Sequence, residues 1–404
     1  MSCKGVGGLG TDSPSTTNHH KRLFIYVMLM IVFGIHLLAQ ANGEYPQSGV
    51  IRDSAGNLYG TALGGVPTPG GVVYKLSPSG DEEVLYTFCS KTPGCADGNV
   101  PSGGVVRDPQ GNLYGATLEG GKFNRGILYE LIPSGDKYDE EVLYDFCSKP
   151  GCTDGALPNP GLIRDSLGNL YGTTNAGGTH GIGGLGVIFK FSTSTRLYQS
   201  LYNFCSELNC TDGRAPTTGV IRDEKGNLYG TTPNGGNGYG VAYELSATKI
   251  YSVIYTFCEY PACLAYPQSG LVRDLYGNLY GTASPGLGGW AYELSPPKKG
   301  NKYVATWSLG VGIPTSGVIL ESGYLYGTAL GEYGFVYKVK PGSTKLDGFF
   351  TFANGLLDGN DPRYGVIMDG GNLYGTTYYG GHNNLGVVYK LNPSLKEETV
   401  LHTF

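Results

Sequence analysis

Lysine and arginine are scarce in this chain. They number 28 among 404 residues, against 33 aspartates and glutamates, for a net charge of −5 with histidine neutral. They are also scattered along the sequence. A nucleic-acid surface needs a basic stripe to neutralise phosphates, and an anionic membrane surface asks for the same. Neither partner is expected. The signatures of common catalytic machinery are missing too. There is no Gly-x-Ser-x-Gly elbow, no His-Glu-x-x-His and no phosphate-binding Gly-x-x-x-x-Gly-Lys-Ser/Thr. No segment beyond residue 45 sustains a helical period with caps. A long apolar run occurs once, from Leu23 to Ala39.

That run follows His19-His20-Lys21-Arg22 and precedes the small-x-small sequence Ala39-Gln40-Ala41. The pattern predicts a secretory signal peptide over residues 1–41, cut after Ala41. The run sits at the lower limit for spanning a bilayer, so an uncleaved anchor is the alternative. With the signal removed, no membrane span is expected. The protein is expected to be secreted, periplasmic or on the cell surface.

Cysteine usage agrees with export. Of nine cysteines, Cys3 leaves with the signal. The others fall in four close pairs: Cys89/Cys95, Cys147/Cys152, Cys205/Cys210 and Cys258/Cys263. Exported chains use such pairs as disulfides, and four local bridges are predicted. Zinc, the other reading, needs four ligands, and these pairs belong to different repeats without paired histidines. No metal or cofactor is expected.

The sequence is dominated by a repeat. Gly-Asn-Leu-Tyr-Gly starts at Gly56, Gly111, Gly168, Gly226, Gly277 and Gly371, and Gly-Tyr-Leu-Tyr-Gly at Gly323. Successive copies lie about 50 residues apart, the size of one supersecondary unit that cannot bury its own apolar face. Each unit opens with Pro-x-x-Gly, at Pro46, Pro101, Pro158, Pro216, Pro267, Pro314 and Pro362. Four short runs rich in Tyr, Val, Ile and Thr follow, separated by turn residues. Proline is read as the first residue of the first strand. The predicted fold is all-β, a seven-bladed β-propeller of four-stranded antiparallel blades covering residues 42–404. A parallel β-helix is the competing architecture. No spare strand is visible to complete a split blade, so closure is expected to rest on side-chain packing between the first and last blades.

The whole unit resembles the Gloeo/Verruco (GloVer) tandem repeat of exported bacterial proteins. The motifs that carry the resemblance are Pro-x-x-Gly-Val-Ile-Arg-Asp, Gly-Asn-Leu-Tyr-Gly-Thr, Gly-Val-Val-Tyr-Lys-Leu and Val-Leu-Tyr-Thr-Phe-Cys, followed by Asp-Gly-x-x-Pro. It implies export and a propeller-like domain, and it brings no catalytic residues.

In an up-and-down blade the Gly-rich loops and the Cys loops share one face, and the Asp-x-x-Gly-Asn turns lie on the other. Propellers commonly place ligands on a loop face or in the central channel. The carboxylates Asp97, Asp154, Asp212 and Asp358 are read as turn residues, with a calcium or sugar site as the alternative. Arg52, Arg107, Arg164, Arg222 and Arg273 are read as Arg–carboxylate clasps with a neighbouring blade, with an anion site in the channel as the alternative. The recurring tyrosines are read as packing with their hydroxyls at the rim, and His402 as an ordinary strand residue. Residues that break the repeat are the better ligand candidates: Lys122, Phe123, Arg125, His180, Tyr378, Tyr379, His382 and Asn383. The expected function is a non-catalytic binding or structural module for carbohydrate or protein ligands. The alternative is an enzyme acting on glycans, a hydrolase or lyase, which needs an asymmetric cluster of acids at one pocket.

Overall fold

The structure is a computed structural model and describes residues 43–64, 70–135, 137–179, 185–258, 264–284, 288–298, 302–308, 311–343, 345–346, 349–353 and 358–404. The signal segment, His180 and Cys263 lie outside them. The described chain is all-β. It forms a seven-bladed propeller of mostly four-stranded antiparallel blades.

The first blade shows the plan. Two short pieces, Gly43–Pro46 and Ile51–Arg52, both pair with Leu58–Gly64, which pairs with Val72–Leu76 and then Glu82–Thr87. The innermost strand is thus split, and Pro46 ends its first piece instead of starting a strand. Proline lacks the N–H that would continue the ladder. Pairing passes to the Gln47 N–H, which donates to the Thr61 carbonyl at 2.8 Å. The Thr61 N–H in turn donates to the Ser48 hydroxyl at 3.1 Å.

The repeated Leu-Tyr-Gly glycine has a steric cause. A Cβ on Gly60 would lie 2.4 Å from the Tyr74 hydroxyl oxygen, and one on Gly230 would lie 2.3 Å from that of Tyr243. The third-strand tyrosine lies flat on the neighbouring backbone. The hydroxyls of Tyr74, Tyr129, Tyr243, Tyr292, Tyr337 and Tyr389 are buried with no hydrogen-bond partner, so these tyrosines do not reach the rim. Their apolar bodies fill the core, and in the third blade Phe189 takes the same place, over Gly172.

Apolar clusters straddle the seams between blades. One joins Tyr59, Val73 and Phe88 of the first blade to Val105, Leu113 and Tyr129 of the second. Three polar devices recur beside them. The residue before the blade's opening proline is left-handed, as at Tyr45, Val100, Leu157, Ala215, Tyr266 and Asp361. Its N–H turns to the preceding blade, as from Val100 to the Gly70 carbonyl at 2.9 Å. The threonine after Leu-Tyr-Gly donates to the next blade's Pro-x-x-Gly carbonyl, as from Thr173 to Thr218 at 2.7 Å. The first-strand arginine lies over the preceding blade's tyrosine, as Arg107 over Tyr59 at 5.7 Å and Arg273 over Tyr229 at 5.8 Å. The arginines do reach the neighbouring blade, but among the described residues the expected carboxylate partner is found only for Arg52, with Asp369; Arg107, Arg164, Arg222 and Arg273 meet a tyrosine ring instead.

The same devices close the ring. Val50, Leu58 and Tyr74 pack with Tyr374, Val388 and Phe404. The Tyr45 N–H donates to the Leu385 carbonyl at 2.8 Å, and the Thr376 hydroxyl to the Ser48 carbonyl at 2.7 Å. Arg52 pairs with Asp369. His402 sits 3.4 Å from the Glu82 carboxylate, so it faces its partner blade across the closing seam. Closure is more than packing.

Candidate functional site

The Gly-rich and Cys loops do share a face. The Gly121 N–H donates to the Cys95 carbonyl and the Gly178 N–H to the Cys152 carbonyl, each at 2.9 Å. Bridges join Cys89 to Cys95, Cys147 to Cys152 and Cys205 to Cys210. Cys258 is also disulfide-bonded. Within these loops the Asp-Gly carboxylates are consumed structurally. Asp154 is fully buried and accepts from the Tyr144 hydroxyl at 2.6 Å, the Ser148 hydroxyl at 2.6 Å and the Ser148 N–H at 2.9 Å. Asp97 repeats this set with Tyr86 and Ser90. Asp212 is held likewise by Tyr202 and Ser206, and with the acceptor oxygens engaged in this way the calcium or sugar reading of Asp97, Asp154 and Asp212 fails.

On the opposite face the turn aspartates are fixed in the same spirit. Burial pushes the Asp53 carboxyl up, but hydrogen bonds from Asn57, Tyr59 and Ala55 outweigh it and hold the group below its ordinary value.

The Pro-x-x-Gly segments of all seven blades converge on a central cavity of about 510 Å³. Its wall is mostly glycine, serine, threonine and short aliphatic residues. Arg363 is the one charged side chain of that lining and Tyr364 the one aromatic. Six blades place small or neutral residues between proline and glycine, whereas the seventh reads Pro362-Arg363-Tyr364-Gly365.

Around Arg363 the mouth of the cavity becomes asymmetric. Its guanidinium lies 3.7 Å over the Tyr378 ring and 5.7 Å from that of Tyr379. Tyr45, from the adjoining first blade, stacks on Tyr378 at 5.1 Å and meets Tyr379 edge-on at 5.9 Å. Asp361 accepts from Arg363 Nε at 2.8 Å and Nη2 at 2.7 Å. Its other oxygen is buried without a partner. Burial pulls the Arg363 guanidinium down, but Asp361 and the two phenols outweigh it, so the group stays charged. Burial pushes the Tyr364 phenol up to about 12, so it is protonated at neutral pH and is a donor, not a base.

Of the residues singled out from sequence, Tyr378 and Tyr379 belong to this cluster. His382 and Asn383 are exposed a few residues on, and Asn383 donates to the Phe404 carbonyl at 3.4 Å. Lys122 and Phe123 form their own pair on the second blade, 5.6 Å apart, outside the cavity lining. The Arg125 carbonyl accepts the Leu157 N–H at 3.0 Å, a seam contact. His180 falls outside the described residues. Sequence reasoning missed Arg363, Tyr364, Asp361 and Tyr45. The signal was the departure of Arg363-Tyr364 from the small residues of the other Pro-x-x-Gly motifs.

Among the described residues no group of three His, Cys, Asp or Glu is arranged to hold a metal, and no helix is long and apolar enough to cross a membrane. Fold and site together define a β-propeller whose symmetry fails at one point of its channel mouth. Residues 91–294 match the Gloeobacter/Verrucomicrobia repeat, and the chain belongs to that family.

No curated protein matches the sequence. Among solved structures, the extracellular domain of a protein described as a hybrid two component system from B. thetaiotaomicron aligns with a TM-score of 0.54 at 15% identity. The alignment covers 84% of this chain and 39% of that one, so this chain spans well under half of its length. A polysaccharide lyase of family PL25, an ulvan lyase, aligns with a TM-score of 0.52 at 12% identity over 87% of this chain and 91% of that one. At these identities the likeness is one of fold alone.

Proposed function

We propose that this exported chain is a non-catalytic binding module that takes a carbohydrate at the channel mouth. The observation that carries the reading is the half-buried group of Tyr45, Tyr378 and Tyr379 around Arg363. Aromatic faces offer stacking area to the apolar face of a sugar ring. The Arg363 guanidinium supplies donors for hydroxyls. The disulfides fit an oxidising compartment, in keeping with secretion, the periplasm or the cell surface. A protein ligand at the same mouth is the other binding partner to screen.

One observation favours the enzyme reading. Glu332 and Asp361 line the same groove of about 260 Å³ between the sixth and seventh blades. A glycosidase needs two such carboxyls, one of them an acid. Asp361 is committed to Arg363 through two N–H groups, which suits a fixed acceptor better than a proton donor.

The test is a glycan array with the purified mature protein, followed by titration of any hit and a search for cleavage products. Binding without turnover is expected. Tyr378→Ala should weaken it about five- to tenfold, the worth of one aromatic contact. Turnover abolished by Glu332→Gln would establish the enzyme instead.

A further inference from the structure

The strongest unassigned feature is a basic pocket on the face opposite the mouth, at the seam between the third and fourth blades. It encloses about 200 Å³ and is lined by Lys190, Arg222, Lys225 and Lys249, with Gln199 and Tyr171 beside them. Lys190 Nζ and Arg222 Cζ both lie 5.8 Å from the centre of the same Tyr171 ring. The hydroxyl of that ring donates to Asp165 at 3.1 Å.

Two other seams of the same molecule supply a counter-charge from within. In the first blade Lys75 pairs with Glu83 across the outer ladder at 2.9 Å. In the second, Glu130 and Glu141 pair in register. Arg196, from the turn of the third blade, reaches them both, at 3.5 and 2.8 Å. Lys249 occupies the corresponding turn of the fourth blade, left-handed like Arg196. The in-register pair that would receive it is Lys190 and Gln199. Lysine stands at the same strand position in the first, sixth and seventh blades, but here it faces an amide and, with Lys249, a second cation.

The neighbouring acids hydrogen-bond within their own turns, which orients them without cancelling their charge, and Glu244 acts electrostatically on Lys225. Asp165 accepts from Asn169 and Tyr171, and Asp223 from Asn227 and Tyr229. None of the four cations takes part in an ion pair among the described residues.

We propose that this seam binds a doubly charged oxyanion, a phosphate or sulfate group, in the space where the second blade keeps two carboxylates. Four cations line this cavity, Lys190 half-buried and Arg222, Lys225 and Lys249 exposed, a set that suits a compact dianion, whose oxygens take charge-assisted hydrogen bonds from ammonium and guanidinium groups. The site does not depend on the reading of the mouth.

The experiment is calorimetric titration of the full mature protein with inorganic phosphate and with sulfate, in chloride buffer of matched ionic strength. Glucose 6-phosphate is titrated in parallel to separate a free ion from an esterified group. The key variant is K190E/Q199E, which installs the second blade's carboxylates opposite Lys249. One equivalent of phosphate or sulfate should bind, more weakly as salt rises. Binding should fall more than tenfold in K190E/Q199E, since hydrogen bonds to charged groups are lost, while Tyr378→Ala leaves it unchanged. The variant should melt no lower than wild type in anion-free buffer, which separates loss of the site from loss of the fold. Tighter glucose 6-phosphate that is lost in K190E/Q199E and kept in Tyr378→Ala would identify an esterified ligand, and tighter inorganic phosphate a free ion. No binding above chloride, or equal binding by wild type and K190E/Q199E, would overturn the proposal.

Discussion

Single residues in this molecule are decided by what their blade-mates leave room for. The glycine of Leu-Tyr-Gly is fixed because a tyrosine lies on it, while the tyrosine's own hydroxyl earns no partner. Gly230→Ala should therefore lower stability by about 3 kcal/mol or more, an overpacking cost. Tyr243→Phe should be neutral or stabilising by up to about 1 kcal/mol, because a buried unpaired hydroxyl is removed; Phe189 already shows the phenyl fits. Chemical denaturation of both variants checks the pair. Glu398 gives a second residue-scale outcome. Burial first, and then the hydrogen bond and charge of Asp358, push its carboxyl up to about 9 from an ordinary 4.5. Glu398 is therefore protonated at neutral pH, beside Asp358, where the sixth blade has Phe350 in place of the tyrosine that serves Asp97 and Asp154. A carboxyl raised in the folded state contributes stability that is full below about pH 4.5 and lost as pH rises toward 9. The melting temperature should fall across that window in wild type and fall less in Glu398→Gln. An equal fall in both would remove the Glu398 proton from the explanation.

At the scale of strands and loops, the seams do most of the holding. The threonine after Leu-Tyr-Gly latches each described blade to the next except in the second, where Ala116 stands in its place and has no hydroxyl. Ala116→Thr should add the missing rung, to the Pro160 carbonyl, and raise stability by about 1 kcal/mol, the net worth of one hydrogen bond. Equilibrium unfolding reads it directly, and a loss of stability would mean the seam there has no room. Strand number, turn positions and the shared loop face were legible because each blade repeats the same turn chemistry. The split inner strand was not. Its break depends on the left-handed residue before proline, and Val100 or Leu157 gives no local hint of that conformation. Nor was the buried role of Asp97, since an Asp-Gly turn reads the same whether it faces water or a Cys loop.

Over the whole molecule, repetition builds the ring and departures from repetition build the candidate sites. Tyr378 and Tyr379 stood out in sequence because they lengthen an aromatic run in a variable loop. Arg363 was equally visible as a break in Pro-x-x-Gly, but only the ring shows that this motif lines the channel. The basic pocket was beyond sequence reading. Lys190, Arg222, Lys225 and Lys249 are spread over two repeats of a chain with few cations, and strand register alone brings them together. Tyr45 reaches Tyr378 only because the first and last blades meet. The most direct measurement compares glycan binding by three proteins: wild type, Arg363→Ala/Tyr378→Ala at the mouth, and Phe123→Ala on the second blade. Wild type and Phe123→Ala should bind the same saccharide with equal affinity, and the mouth variant, folded by its melting curve, should not bind it. A mouth variant that binds as well as wild type would contradict the assignment of function to the seventh blade.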